Sequence, residues 1–132
     1  MSRQKRGVTL IEIIVVLVIL GILAVLTLPQ FNKPKETSID KEAIANLKLI
    51  QAAERIYKLE MTVYASGDTA SDLNDVLRLA LPTGSNAYWN YKVATPSDNS
   101  LFTAKAQRTS DTSRVKCIDQ DAEEPSDSSC SW

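Results

Sequence analysis

The chain has 132 residues, 44% hydrophobic and 23% charged, with a formal net charge of −1. That length leaves room for one domain, and the near-neutral balance argues against a general nucleic-acid binder, which needs a basic face. Histidine is absent, which removes the commonest general base and metal ligand. With no G-x-S-x-G, P-loop or zinc-spacing pattern either, the sequence predicts no enzyme, no cofactor and no metal site.

In chain order, Arg3, Lys5, Arg6 and Gly7 lead directly into an apolar run, Val8 to Leu28, whose only charged residue is Glu12. About twenty apolar residues suffice to cross a bilayer as a helix. A carboxylate in hydrocarbon costs roughly 2.5 kcal/mol or more, so it marks a functional position by default. A secretory signal would have a short apolar core and an A-x-A-like cleavage site. Here the run is long and ends in Leu26-Thr27-Leu28-Pro29-Gln30-Phe31. A plain signal anchor explains the basic start and the apolar run but leaves Glu12 without a role.

The stretch Lys5-Arg6-Gly7-Val8-Thr9-Leu10-Ile11-Glu12, running into Ile13–Leu28, resembles the leader of type IV pilins and pseudopilins. The resemblance is specific for Gly7–Pro29. It implies that a prepilin peptidase cuts between Gly7 and Val8, on the cytoplasmic side, and N-methylates the new amino terminus at Val8. The family's glutamate falls on Glu12, its mid-helix glycine on Gly21 and its helix-bending proline on Pro29; Val8 stands where the family usually has Phe or Met. After cleavage the amine at Val8 lies about one helical turn from Glu12. A dry carboxylate needs a cationic partner, and the resemblance implies that Glu12 finds it in the amine of a neighbouring subunit, setting axial register in a growing filament. Pairing with its own amine is the alternative.

The implied organisation is a leader over 1–7, a transmembrane and filament-core helix over 8–30, and a globular head over 31–132. The implied partners are further copies in a helical filament, the prepilin peptidase, the inner-membrane pilus assembly machinery, and the membrane before assembly. Nucleic acid is not expected. The protein would reside in the inner membrane and then in a cell-surface pilus. A pseudopilin of a type II secretion system and a DNA-binding minor pilin are the alternative readings. Without its three basic leader residues the chain keeps 12 Lys and Arg against 16 Asp and Glu.

Pro29 and Pro34 remove backbone donors and disfavour helix just before them, so Phe31–Lys35 reads as a weak point, with Gly21 weakening the helix earlier. By resemblance, Gly21–Pro29 is where pilin helices melt within a filament. Ser38–Met61 is predicted helical, with Ile39, Ala43, Leu47, Ile50, Ala53 and Tyr57 as one apolar stripe. Asp40, Lys41, Glu42, Lys48, Glu54, Arg55 and Lys58 read as the solvated side. This helix would extend the membrane helix into one long, interrupted rod. A short helix over Ser71–Leu81 follows, with Ser71 as N-cap and Leu73, Val76, Leu77 and Ala80 as its buried face.

Three strands are predicted at Ala87–Ala94, Leu101–Gln107 and Arg114–Asp119, joined by short loops and therefore antiparallel. The fold class is α+β and pilin-like: a long N-terminal helix packed on a small antiparallel sheet, with a C-terminal disulfide loop. The even cysteine count in an exported chain points to a Cys117–Cys130 disulfide, worth about 3 kcal/mol on the chain-entropy model. The loop resembles the family's variable D-region. Inside it, Asp119, Asp121, Glu123, Glu124 and Asp127 read as a solvated acidic cluster, with only part of a calcium-ligand pattern. Lys105, Arg108, Arg114 and Lys116 read as sheet-edge and subunit-contact charges, and second as the basic patch that DNA-uptake pilins use.

Overall fold

The first regular element is a helix built almost wholly from Leu, Ile and Val: α1, Leu10–Thr27. A computed structural model describes residues 7–27, 32–127 and 130. In it, the chain falls into two compact units, Met1–Thr37 and Ser38–Trp132. α1 is apolar all round, and its side chains from Leu10 to Val25 are exposed within the chain. Among the described residues no helix is long and apolar enough to cross a membrane. The apolar sequence itself continues to Leu28.

α2 spans Asn32–Met61, beginning before the predicted Ser38. Pro34 causes no break because it is the third helical residue, where the missing N–H would have had no intrahelical partner. The predicted weak point at 31–35 is therefore helical from Asn32 on, while Phe31 and Pro29 lie outside the described residues. From Ile39 the predicted stripe does what its spacing dictates: Ile39, Ala43, Leu47 and Ile50 are buried, and Ala53 and Tyr57 pack against the same core. Glu54, read as solvated, is instead fully buried.

α3 is Ala70–Leu77, with Thr69 as N-cap, so both the predicted start and the predicted cap are corrected. Thr69 and Asp72 form a reciprocal capping box: Thr69 Oγ1 accepts from the Asp72 N–H at 3.2 Å, and Asp72 Oδ2 accepts from the Thr69 N–H at 3.0 Å. That device satisfies two otherwise orphaned donors, which Ser71 does not do. The helix stops at Arg78, in the left-handed region at φ 55°, well short of Pro82. Asn74 then holds the exit by accepting from the Leu81 N–H at 2.7 Å and donating to the Leu81 carbonyl at 3.0 Å. Of its predicted face only Leu73 and Leu77 are buried; Val76, within the helix, and Ala80, beyond its end, are exposed.

The strands are β1 Trp89–Ala94, β2 Thr103–Arg108 and β3 Val115–Asp119. They form an antiparallel meander in the order β1-β2-β3. Strict alternation puts Trp89, Tyr91 and Val93 of β1 and Ala104, Ala106 and Arg108 of β2 on the inner face. Ala104 pairs with Val93 on one side and Ile118 on the other, so small residues occupy the centre of a sheet flanked by bulky ones. This face shares one core with the α2 stripe, Leu73, Leu77, Leu81 and Phe102. Trp89 Nε1 donates to the Ile39 carbonyl at 2.9 Å and Asn46 Nδ2 to the Tyr91 hydroxyl at 2.8 Å, so the buried aromatic polar groups are satisfied.

Both outer strands are fastened at one point. Gly67 pairs with Val93 beside β1, and Ser126 pairs with Cys117 beside β3. Each bridge occupies donors and acceptors on an otherwise open sheet edge.

Candidate functional site

Gly7 and Val8 precede α1 and are exposed. A Cβ added at Gly7 would meet nothing within 4 Å, so no packing within the chain demands glycine there. Thr9 is followed three residues later by Glu12, a capping-box spacing. The Glu12 amide donates to the Thr9 carbonyl at 3.1 Å. In return Glu12 Oε2 accepts from the Thr9 N–H at 3.3 Å and from its hydroxyl at 3.4 Å. The carboxylate is exposed at the first turn of α1, where the helix dipole favours negative charge. The carboxylate thus stands exposed at the head of an apolar helix. The prokaryotic N-terminal methylation motif matches residues 2–28.

The chain carries a prepilin-type leader. This leader is that of type IV pilins and pseudopilins. No curated protein and no solved structure matches the chain. Behind the leader, Gly21 sits inside α1, which runs through it unbroken, and a Cβ there would also meet nothing within 4 Å. The α+β head that follows is pilin-like, with Cys117 and Cys130 joined by a disulfide.

Three polar side chains of α2 hold the disulfide loop. Gln51 Nε2, in a buried residue, donates to the carbonyls of Asp119 and Ala122 at 2.7 and 2.8 Å. Arg55 donates to the Gln120 carbonyl at 3.2 Å, and Lys48 forms an ion pair with Glu124. Gln51 escaped the sequence reading, although its place one position after Ile50 borders the apolar stripe.

The acidic cluster is spent on the loop itself. Asp119 Oδ1 accepts from the amides of Asp121 and Ala122 at 2.9 and 2.7 Å. Glu124 pairs with Lys48 and Asp127 with Lys116. Among the described residues no group of three or more His, Cys, Asp or Glu could hold a metal ion.

The four basic residues do not form a common outward patch. Arg108 is buried, its guanidinium 5.4 and 5.6 Å from the Tyr88 and Trp89 ring centres. Arg114 bonds both oxygens of Asp40 at 2.8 Å, and Lys116 pairs with Asp127 across the loop. Arg108, Arg114 and Lys116 are thus engaged within the head.

The residue furthest from its predicted environment is Glu54. It is 0% exposed. Its Oε2 accepts from the Ala65 N–H at 2.9 Å, while Oε1 has no hydrogen-bond partner among the described residues. Burial pushes its carboxyl up to about 7, offset only in part by the Ala65 hydrogen bond. Burial likewise pushes the Tyr91 phenol up to about 12, against the lowering effect of the Asn46 hydrogen bond. A signal for Glu54 was present: 47, 50, 54 and 57 continue the stripe's spacing of three and four, and its charge concealed it.

Proposed function

We propose that the protein is a structural subunit of a type IV pilus-like filament, cut between Gly7 and Val8, N-methylated at Val8 and polymerised through its apolar helix. The observation that carries this reading is the methylation motif over residues 2–28, joined to a helix whose apolar surface the chain itself leaves uncovered. Such a surface must be covered by lipid before assembly and by neighbouring helices after it. Glu12 is the assembly residue. Once the chain is cut, its carboxylate faces the helix start, where the amine of an incoming subunit supplies the charge that a desolvated carboxylate requires. Gly21 and Pro29 supply the points where the helix is weakest. The domains follow as leader 1–7, filament-core helix 8–30 and head 31–132.

The partners are further copies of the chain, the prepilin peptidase and the inner-membrane assembly machinery, with passage from the inner membrane to a surface filament. The leader is common to pilins and pseudopilins. The disulfide-closed C-terminal loop favours the pilin branch, and the internal pairing of Arg114 and Lys116 favours a structural over a DNA-binding role.

The test is the mass of the N-terminal peptide from the sheared surface fraction. A chain beginning at methylated Val8 is expected. A full Met1–Gly7 leader on surface or membrane material would overturn the reading. Gly7→Ala should leave the head folded and the leader uncut, because position 7 has no packing duty within the chain.

A further inference from the structure

We propose that the Glu54 carboxyl is a proton-operated latch, holding the segment between α2 and α3 closed when protonated and releasing it when ionised. The segment 62–69 is tied to the rest of the head at discrete points. Thr62 turns the chain in the left-handed region at φ 65°. The Tyr64 amide donates to the Asn99 carbonyl at 3.0 Å, and Gly67 exchanges two hydrogen bonds with Val93 at 3.1 and 2.9 Å. Between these ties, Ala65 is held by the side chain of Glu54. Ala65 itself belongs to the core and Tyr64 packs against it, its ring centre 4.9 Å from that of Phe102, so the seat of this connection in the core depends on the Glu54 carboxyl that holds Ala65.

An acid and an anion differ sharply at this position. As an acid, Glu54 buries no charge and keeps the Ala65 N–H satisfied. As an anion it has one N–H donor and an Oε1 with no donor among the described residues, far less than the hydration it gave up. The charged groups on the surrounding elements are engaged elsewhere. On α2, Arg55 bonds the Gln120 carbonyl, and Lys58 places its Nζ 4.8 Å from the Tyr64 ring centre. Within 62–69, Asp68 pairs with Lys92 of β1. On α3, Asp72 caps its own helix, and between β1 and β2, Asp98 accepts from Ser100. β2 presents Ala104, Ala106 and Arg108 on its inner face, and the Arg108 guanidinium lies against the Tyr88 and Trp89 rings. Loss of the proton to solvent thus leaves a charge that only water can satisfy, and water reaches it by lifting the segment. The rise of the Glu54 carboxyl to about 7 puts this event at physiological pH.

The release has a surface consequence. The segment leads directly into α3, and α2 and α3 together wall a groove of about 340 Å³ lined by Leu49, Ala53, Ile56, Val76, Leu77 and Leu79. Movement of the segment resets one wall of that groove.

Hydrogen exchange of the full-length chain in detergent micelles tests the latch, with protection corrected for intrinsic exchange. Protection across 62–69 is expected to fall about tenfold or more as pH rises through neutrality and to end at least tenfold below that of the β2 amides, which decline only with global stability. Glu54→Gln, which keeps an acceptor for Ala65 but does not ionise, should hold 62–69 protected at every pH. Protection independent of pH in the wild-type chain overturns the proposal. So does protection of 62–69 that merely tracks that of β2, which signals global loosening alone, or an equal fall in Glu54→Gln. Should that variant fail to fold, the wild-type comparison between 62–69 and β2 decides alone.

Discussion

Helix α1 and the head treat their side chains in opposite ways. In α1 the apolar residues stand exposed and the one carboxylate bonds only to the turn that it caps. In the head, even the exposed cations Lys48, Arg55 and Arg114 reach across to bind other elements, and large aromatics are buried with their polar atoms satisfied. The head carries its own stabilising contacts, whereas α1 requires partners.

The strongest way to break this contrast is Glu12→Ala. It should abolish, or reduce at least tenfold, the sheared surface fraction, while the head's thermal unfolding and disulfide stay as in wild type. A matching loss of head stability would show that the two regions are not separate. Next, Cys117→Ser with Cys130→Ser should lower head stability by about 3 kcal/mol. Urea melts would show a smaller loss if the α2 side chains hold the loop unaided. Third, the head should lose stability as pH rises. The native Glu54 carboxyl near 7 lies above the ordinary value of 4.5, so the folded state binds the extra proton. The stabilisation is complete below about pH 4.5 and is lost as pH passes 7, a change of roughly 3 kcal/mol. Glu54→Gln should flatten this dependence. The smallest effect is Gly67→Ala, whose Cβ would lie 2.8 Å from Leu73 Cδ2. Leu73 must shift in a packed core, at about 1 kcal/mol in thermal melts.

What the sequence disclosed follows the strength of each local signal. The leader was legible because a basic start, Gly7 and a lone Glu12 in an apolar run are a rare combination. The sheet was legible because β1 and β2 alternate strictly. The α2 stripe was legible from Ile39 to Ile50. Glu54 was not, because charge outweighed periodicity in the reading, although the residue sits squarely on the buried face. The start of α3 was misplaced because Ser71 attracted attention as a cap, while Thr69-x-x-Asp72 supplied both halves of the capping device. Arg114 and Lys116 read as surface charges because their partners, Asp40 and Asp127, are remote in sequence or on a loop, and no local pattern announces such a pair. The early start of α2 was missed because Pro34 was weighed as a breaker without regard to its position in the first turn.

The grip of α2 on the disulfide loop has a consequence for how this surface can change. Gln51 and Arg55 bind the main-chain carbonyls of Asp119, Gln120 and Ala122, an atom that every amino acid possesses. Such a clasp is blind to spelling. The exposed letters of the strap, Glu123 among them, are free to be rewritten while its path stays fixed, so this stretch of surface can diversify under selection without renegotiating the fold beneath it.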